Sequence, residues 1–180
     1  VVSNCHKLPQ KLFLKGILPI DEIYRSIQSI VHLIKSVNLD ATVIFTVSPV
    51  RHLKDGFIEN TRSKAHLIAA VHSLLTKNNN AQKIHYFPSY EIMIDELRDY
   101  RFYTDDMIHP NALAVRYIWS KFQECWIASY ALKTMKEVEN IQRDLNHKPF
   151  NLNSKAHQQF IKQVKLRQEK LQFNFPNIVF

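Results

Sequence analysis

Thr42-Val43-Ile44-Phe45-Thr46-Val47 is a short run of β-branched and aromatic residues, closed by Ser48-Pro49. A run this brief and apolar reads as a buried strand, and a proline, which lacks the N–H for a ladder bond, ends it. Upstream, between Ile20 and Val37, the apolar residues Ile23, Ile27, Ile30, Val31 and Ile34 recur mostly at steps of three and four. That spacing puts them on one face of a helix. Asp21 and Glu22 fall in its first turn, where negative charge is favoured. Downstream, Asn60 to Thr76 repeats the pattern with Ala65, Ile68, Ala69, Val71, Leu74 and Leu75, and Lys83 to Phe87 reads as another strand, stopped by Pro88. Val1-Val2-Ser3-Asn4 reads as the end of a further strand whose beginning lies upstream. Short apolar strands alternating with amphipathic helices predict a parallel sheet with helices on its faces. Three strands are few for that architecture, so further strands are expected before Val1.

Tyr90 to Leu97 is predicted as a short helix and Asp99 to His109 as a loop. Pro110 is read as the first residue of the next helix, where its missing N–H would be unpaired in any case. This helix is expected to reach Ile127, with Leu113, Val115, Ile118, Trp119 and Phe122 as its core side. After Ala128 the character changes: Tyr130 to Asn146 and Ser154 to Gln172 read as two polar helices separated at Pro149. The chain thus divides into residues 1–127 and a basic helical extension, 128–180.

Composition narrows the function. Of 180 residues, 24 are Lys or Arg and 16 are Asp or Glu, a formal net charge of +8, and the segment 128–180 supplies +5 of it. Apolar residues make up 46%, which excludes a disordered chain. The two glycines, Gly16 and Gly56, are far apart, so no glycine-rich phosphate loop or dinucleotide fingerprint can exist. No apolar run approaches the length that crosses a bilayer. Cys5 and Cys125 form no Cys-x-x-Cys pair; this fits a reducing compartment such as the cytoplasm without requiring one.

Three places carry chemistry. In Asp106-Met107-Ile108-His109-Pro110 a carboxylate stands three residues before a His in a turn that opens a helix. Such a carboxylate can accept the ring N–H, fix the tautomer and leave the other ring nitrogen as a base. A helix-start turn with a surface His gives the same pattern. In Val2-Ser3-Asn4-Cys5, Asn4 lies just past a strand end, where open parallel sheets bind ligands, and its amide is a candidate oxyanion donor or merely satisfies its own turn. In Ser48-Pro49-Val50-Arg51-His52, again past a strand end, Arg51 or His52 is placed to meet an anionic substrate group or to form a structural salt bridge. Arg98 and Arg101 are open to the same two readings, with Asp95, Asp99 and Asp105 nearby in sequence.

The strings Thr46-Val47-Ser48-Pro49-Val50-Arg51-His52-Leu53-Lys54-Asp55-Gly56, Tyr86-Phe87-Pro88-Ser89-Tyr90-Glu91 and Asp95-Glu96-Leu97-Arg98-Asp99-Tyr100-Arg101-Phe102-Tyr103, running on into Asp106-Met107-Ile108-His109-Pro110, closely resemble the GSCFA domain family. That family is placed in the SGNH/GDSL-like hydrolase superfamily, and the resemblance covers residues 1–127. It implies a three-layer α/β fold of the flavodoxin-like kind and a Ser–His–Asp ester hydrolase acting on a small-molecule acyl or acetyl ester, without cofactor or metal. Asp106 and His109 match the block that supplies the acid and the base. Asn4 matches the block that supplies the oxyanion-hole Asn, although the usual Gly-x-Asn-Asp is Val2-Ser3-Asn4-Cys5 here. Ser48, Arg51 and His52 are the further candidates for oxyanion or substrate binding.

The Gly-Ser-Cys-Phe-Ala string that gives the family its name, and the expected nucleophilic Ser within it, do not occur in these residues. The nucleophile is therefore expected upstream, and this chain alone is expected to be inactive. Cys5 is an internal alternative; Ser48 is another, but no Gly-x-Ser-x-Gly elbow surrounds it. A metal held by His6, His52, His109 and Asp106 would match no zinc spacing. A non-catalytic reading rests on the tail: Lys155, Lys162, Lys165, Arg167 and Lys170 would meet acidic surfaces or nucleic acid, while Phe160, Val164 and Leu171 would pack within the domain or against a second copy. Packing is favoured over nucleic acid, and a homo-oligomer through 128–180 is left open.

Overall fold

The computed structural model describes residues 7–78, 83–151 and 153–180. Val1–Asn4, and with it the predicted first strand, lies outside them. The chain is mixed α/β, mostly helical, with a small two-stranded parallel sheet. It divides into two compact units at Ser120/Lys121.

In the first unit, α1 (Ile20–Val37) spans the predicted residues. Strand β1 (Val43–Thr46) pairs in parallel with β2 (Ile84–Phe87), Val43 opposite Ile84 and Thr46 opposite Phe87. Between them runs α2 (Phe57–Asn78), longer than the predicted span. Val31, Leu74 and Ile84 form a buried cluster with Ile27, Val43 and Phe45 against it, so one residue triple joins α1, α2 and the sheet. Ile30 is exposed, contrary to expectation. With 3.6 residues per turn, neighbours differ by about 100° in direction, so Ile30 and Val31 cannot both face the sheet. Ala65 is exposed as well.

Past β2, one α-helical turn, α3 (Ser89–Glu91), runs into a π-helical stretch, Ile92–Leu97. The next helix, α4, is Ala112–Trp126, so Pro110 is not its first residue. Asn111 caps it instead: its Oδ1 accepts from the N–H groups of Leu113 and Ala114, both at 3.1 Å. Starting two residues later, α4 buries Ala114 against Met93 and Leu97, flanked by Tyr117 and Ile118. Leu113, Val115 and Trp119, expected in the core, are about half exposed. The residue of α4 that is fully buried against Met93 and Leu97 is thus the small Ala114, not its larger apolar neighbours.

The second unit holds α5 (Ser129–Leu145) and α6 (Lys155–Asn174). Ile141, Val164 and Leu171 are buried together, with Val138, Phe160 and Ile178 around them. Ser154 caps α6 through the His157 N–H, and Arg167 donates to Asp144 at 2.5 Å. Val164 and Leu171 thus face α5 of their own unit. Among the described residues no helix is long and apolar enough to cross a membrane.

Candidate active site

The turn Thr104–Asn111 is built from its own side chains. Asp106 accepts four hydrogen bonds. Its Oδ1 takes the Thr104 hydroxyl at 2.6 Å, the Ile108 N–H at 2.8 Å and the His109 N–H at 3.1 Å. Its Oδ2 faces His109 Nδ1 at 2.6 Å. Four donors to one carboxylate favour its ionised form, so the Asp106 carboxyl is held well below the usual carboxylate range, the Thr104 hydroxyl contributing most and the His109 ring next. An ionised acceptor makes Nδ1 the protonated ring nitrogen and leaves Nε2 with the lone pair. The two side chains are 45% and 58% exposed, so the pair is open to a ligand.

Longer-range bonds hold this turn in place. The Thr104 N–H donates to the His109 carbonyl at 2.8 Å, and Tyr103 bridges Pro110. Asn111 donates its side-chain N–H to the carbonyls of Arg101 and Tyr103, tying the start of α4 to the preceding loop. Met107 sits at φ +57°, a left-handed conformation that costs a non-glycine residue about 1–2 kcal/mol. Arg51 secures it: Nη1 donates to the Met107 carbonyl at 2.8 Å, and the Arg51 N–H donates to the Ile108 carbonyl at 3.2 Å. The guanidinium also lies over Phe57, Tyr103 and Tyr100, at 5.3, 5.5 and 6.0 Å from their ring centres.

The Ser48–His52 loop that carries Arg51 rests on three buried polar side chains. Lys64 donates to the Ser48 carbonyl at 2.6 Å. Ser89 donates to the Val47 carbonyl and meets the Thr46 hydroxyl. Asn60 accepts the His52 N–H at 2.8 Å. Burial lowers the Lys64 pKa, because a charged amine is disfavoured away from water. None of these three stood out in the sequence, where each is an ordinary polar residue in a helix and its partner is distant.

The structure therefore joins Asp106, His109 and Arg51. The Ser48 hydroxyl accepts the Val50 N–H at 3.2 Å and so closes its own turn. His52 enters the network by its backbone and has an exposed side chain. Arg101 pairs with Asp99, the structural one of its two readings. Asn4, Cys5 and His6 lie outside the described residues. Among the described residues no three His, Cys, Asp or Glu side chains gather to hold a metal.

The model of the GSCFA family matches residues 1–122. The chain belongs to the GSCFA family. A second model, the C-terminal domain of GSCFA domain proteins, matches residues 138–180. No curated protein and no solved structure matches the chain. The first match contains the whole Asp106–His109 turn and the Arg51 loop, so both are features of the GSCFA segment, and α6 falls within the C-terminal domain segment.

Proposed function

We propose that this GSCFA chain carries the base and the acid of an SGNH-like hydrolase that cleaves small acyl or acetyl esters. One observation carries the reading: His109 Nδ1 and Asp106 Oδ2 are 2.6 Å apart in a turn to which Thr104, Asn111 and Arg51 are hydrogen-bonded. In this reading the nucleophile is a serine upstream of Val1, on sheet strands that also precede it. Its Oγ attacks the ester carbonyl while its proton passes to His109 Nε2. The tetrahedral oxyanion takes a hydrogen bond from the Asn4 amide. On collapse the C–O bond to the alcohol breaks and His109 returns the proton to the leaving oxygen. Water then repeats the sequence on the acyl-enzyme. Asp106 stays ionised and stabilises the imidazolium.

The test is hydrolysis of 4-nitrophenyl acetate by the full-length protein. His109→Ala is expected to lower kcat by at least ~10³-fold, the scale on which a triad base acts. Unchanged turnover would refute the assignment, and strong activity of residues 1–180 alone would move the nucleophile to Cys5 or Ser48.

A further inference from the structure

Beside the His109 turn is a small cavity of about 230 Å³ bordered by Arg51, Arg98, Asp99, Tyr100 and Tyr103. We propose that it binds an anionic group of the substrate, a carboxylate or a phosphate, through Arg51 and Arg98. This proposal rests on the esterase reading for the word substrate, though not for the anion. Two arginines and one aspartate border the cavity, and the aspartate is already engaged: Asp99 accepts the Arg101 N–H at 2.8 Å and Arg101 Nη2 at 3.0 Å. Among the described residues that border the cavity, the two arginines exceed the one carboxylate by a single positive charge. Among the described residues Arg51 spends one of its five N–H donors, on Met107, and most of its fork is unspent. Arg98 is presented by a left-handed backbone at φ +50° that ends the π-helical stretch, and among the described residues its side chain makes no hydrogen bond or ion pair. Such a fork matches the geometry of carboxylate and phosphate oxygens.

The position also suits a substrate arm. One wall, Arg51, is bonded to the carbonyls of Met107 and Ile108, and another, Tyr103, bridges Pro110. The cavity walls are thus tied to the residues on either side of His109. A substrate whose ester lies at His109 would place a charge a few bonds away over Arg51 and Arg98. Tyr100 and Tyr103, with Met93 and Ile94, complete the lining of the cavity.

The full-length protein is titrated calorimetrically with succinate and, separately, with inorganic phosphate. Saturable binding of one of them in the millimolar range is expected, the tighter probe identifying the group. Arg98→Gln is expected to weaken it at least tenfold, and Arg98→Lys, which keeps the charge, by less. No saturable binding of either probe, or equal binding by Arg98→Gln, overturns the site. In parallel, kcat/KM is measured for 4-nitrophenyl acetate and 4-nitrophenyl hemisuccinate. Arg98→Gln is expected to lower the hemisuccinate-to-acetate ratio at least tenfold. An unaltered ratio with His109-dependent hydrolysis of both esters sinks the anion site and leaves the esterase. Arg98-dependent anion binding with no hydrolysis of any ester sinks the esterase and leaves the site.

Discussion

The Thr104–Asn111 turn and the α5–α6 pair are held by opposite means. The turn buries little; it is fixed by hydrogen bonds converging on one carboxylate and by Arg51 reaching in from another loop. The helix pair is fixed by Ile141, Val164 and Leu171, all almost fully buried, with one part-buried ion pair beside them. Directional bonds position atoms to a fraction of an ångström but stabilise weakly when exposed, whereas apolar burial stabilises strongly and positions loosely. The same kind of change should therefore damage function in one region and stability in the other.

The largest effect is expected at Asp106. In Asp106→Asn, the Oδ1 can still accept from Thr104, Ile108 and His109, so the turn persists. The amide now donates to His109 Nδ1, which puts the ring proton on Nε2 and removes the lone pair that the proposed reaction needs. In the full-length protein kcat should fall ~10³-fold or more with a nearly unchanged Tm, as loss of the correct tautomer costs in triads. A large drop in Tm would mean that the carboxylate is structural.

Next comes Leu171→Ala in the helix pair. Removing a buried Leu side chain costs about 2–5 kcal/mol. Denaturant unfolding should register that loss, with ester turnover of the folded fraction unaltered. A loss below about 1 kcal/mol would show that Ile141 and Val164 close over the gap.

These contrasts also separate what the sequence revealed from what it hid. The α1 span was legible residue for residue because the apolar period is local. The Asp106–His109 contact was legible because three residues in a turn suffice to make it. Arg51 was read as a ligand for substrate or as a salt bridge, and its grip on Met107, 56 positions away, was not foreseen. No local pattern encodes such a pairing. The same holds for Lys64 with Ser48 and for Ser89 with Val47. Placing the core of α4 on its large apolar residues failed for a different reason. Hydrophobicity ranks Leu113 and Trp119 above Ala114, but which face of a helix is covered is set by the partners it meets, here Met93 and Leu97, and those are distant from the local pattern.

A smaller effect is expected beneath the Ser48 loop. Lys64→Met keeps most of the apolar stem and strands the Ser48 carbonyl without its buried donor, a loss of about 1–3 kcal/mol in unfolding free energy. Since Arg51 stands on that loop, turnover should fall by a modest factor, roughly threefold to tenfold in kcat, far less than in Asp106→Asn. Stability loss with full turnover would show that the Arg51 clamp does not depend on the loop beneath it.

The smallest effect is in acid. The Asp106 carboxyl is held below its ordinary value of 3.8 in the folded chain, first by the Thr104 hydroxyl and then by His109. A depressed folded value means that the ionised group favours the folded state above the unfolded value. That contribution is complete above about pH 5 and is lost as pH falls through the unfolded and then the folded value. Asp106→Asn cannot titrate and so lacks this dependence. The stability difference between the two proteins, measured by urea unfolding, should therefore narrow steadily below about pH 4. It should remain small throughout, because the carboxylate is nearly half exposed and water screens its partners. A difference that stays constant into acid would mean that the four hydrogen bonds do not favour the ionised form. His109 would then lack the ionised partner that keeps its proton on Nδ1 and Nε2 free.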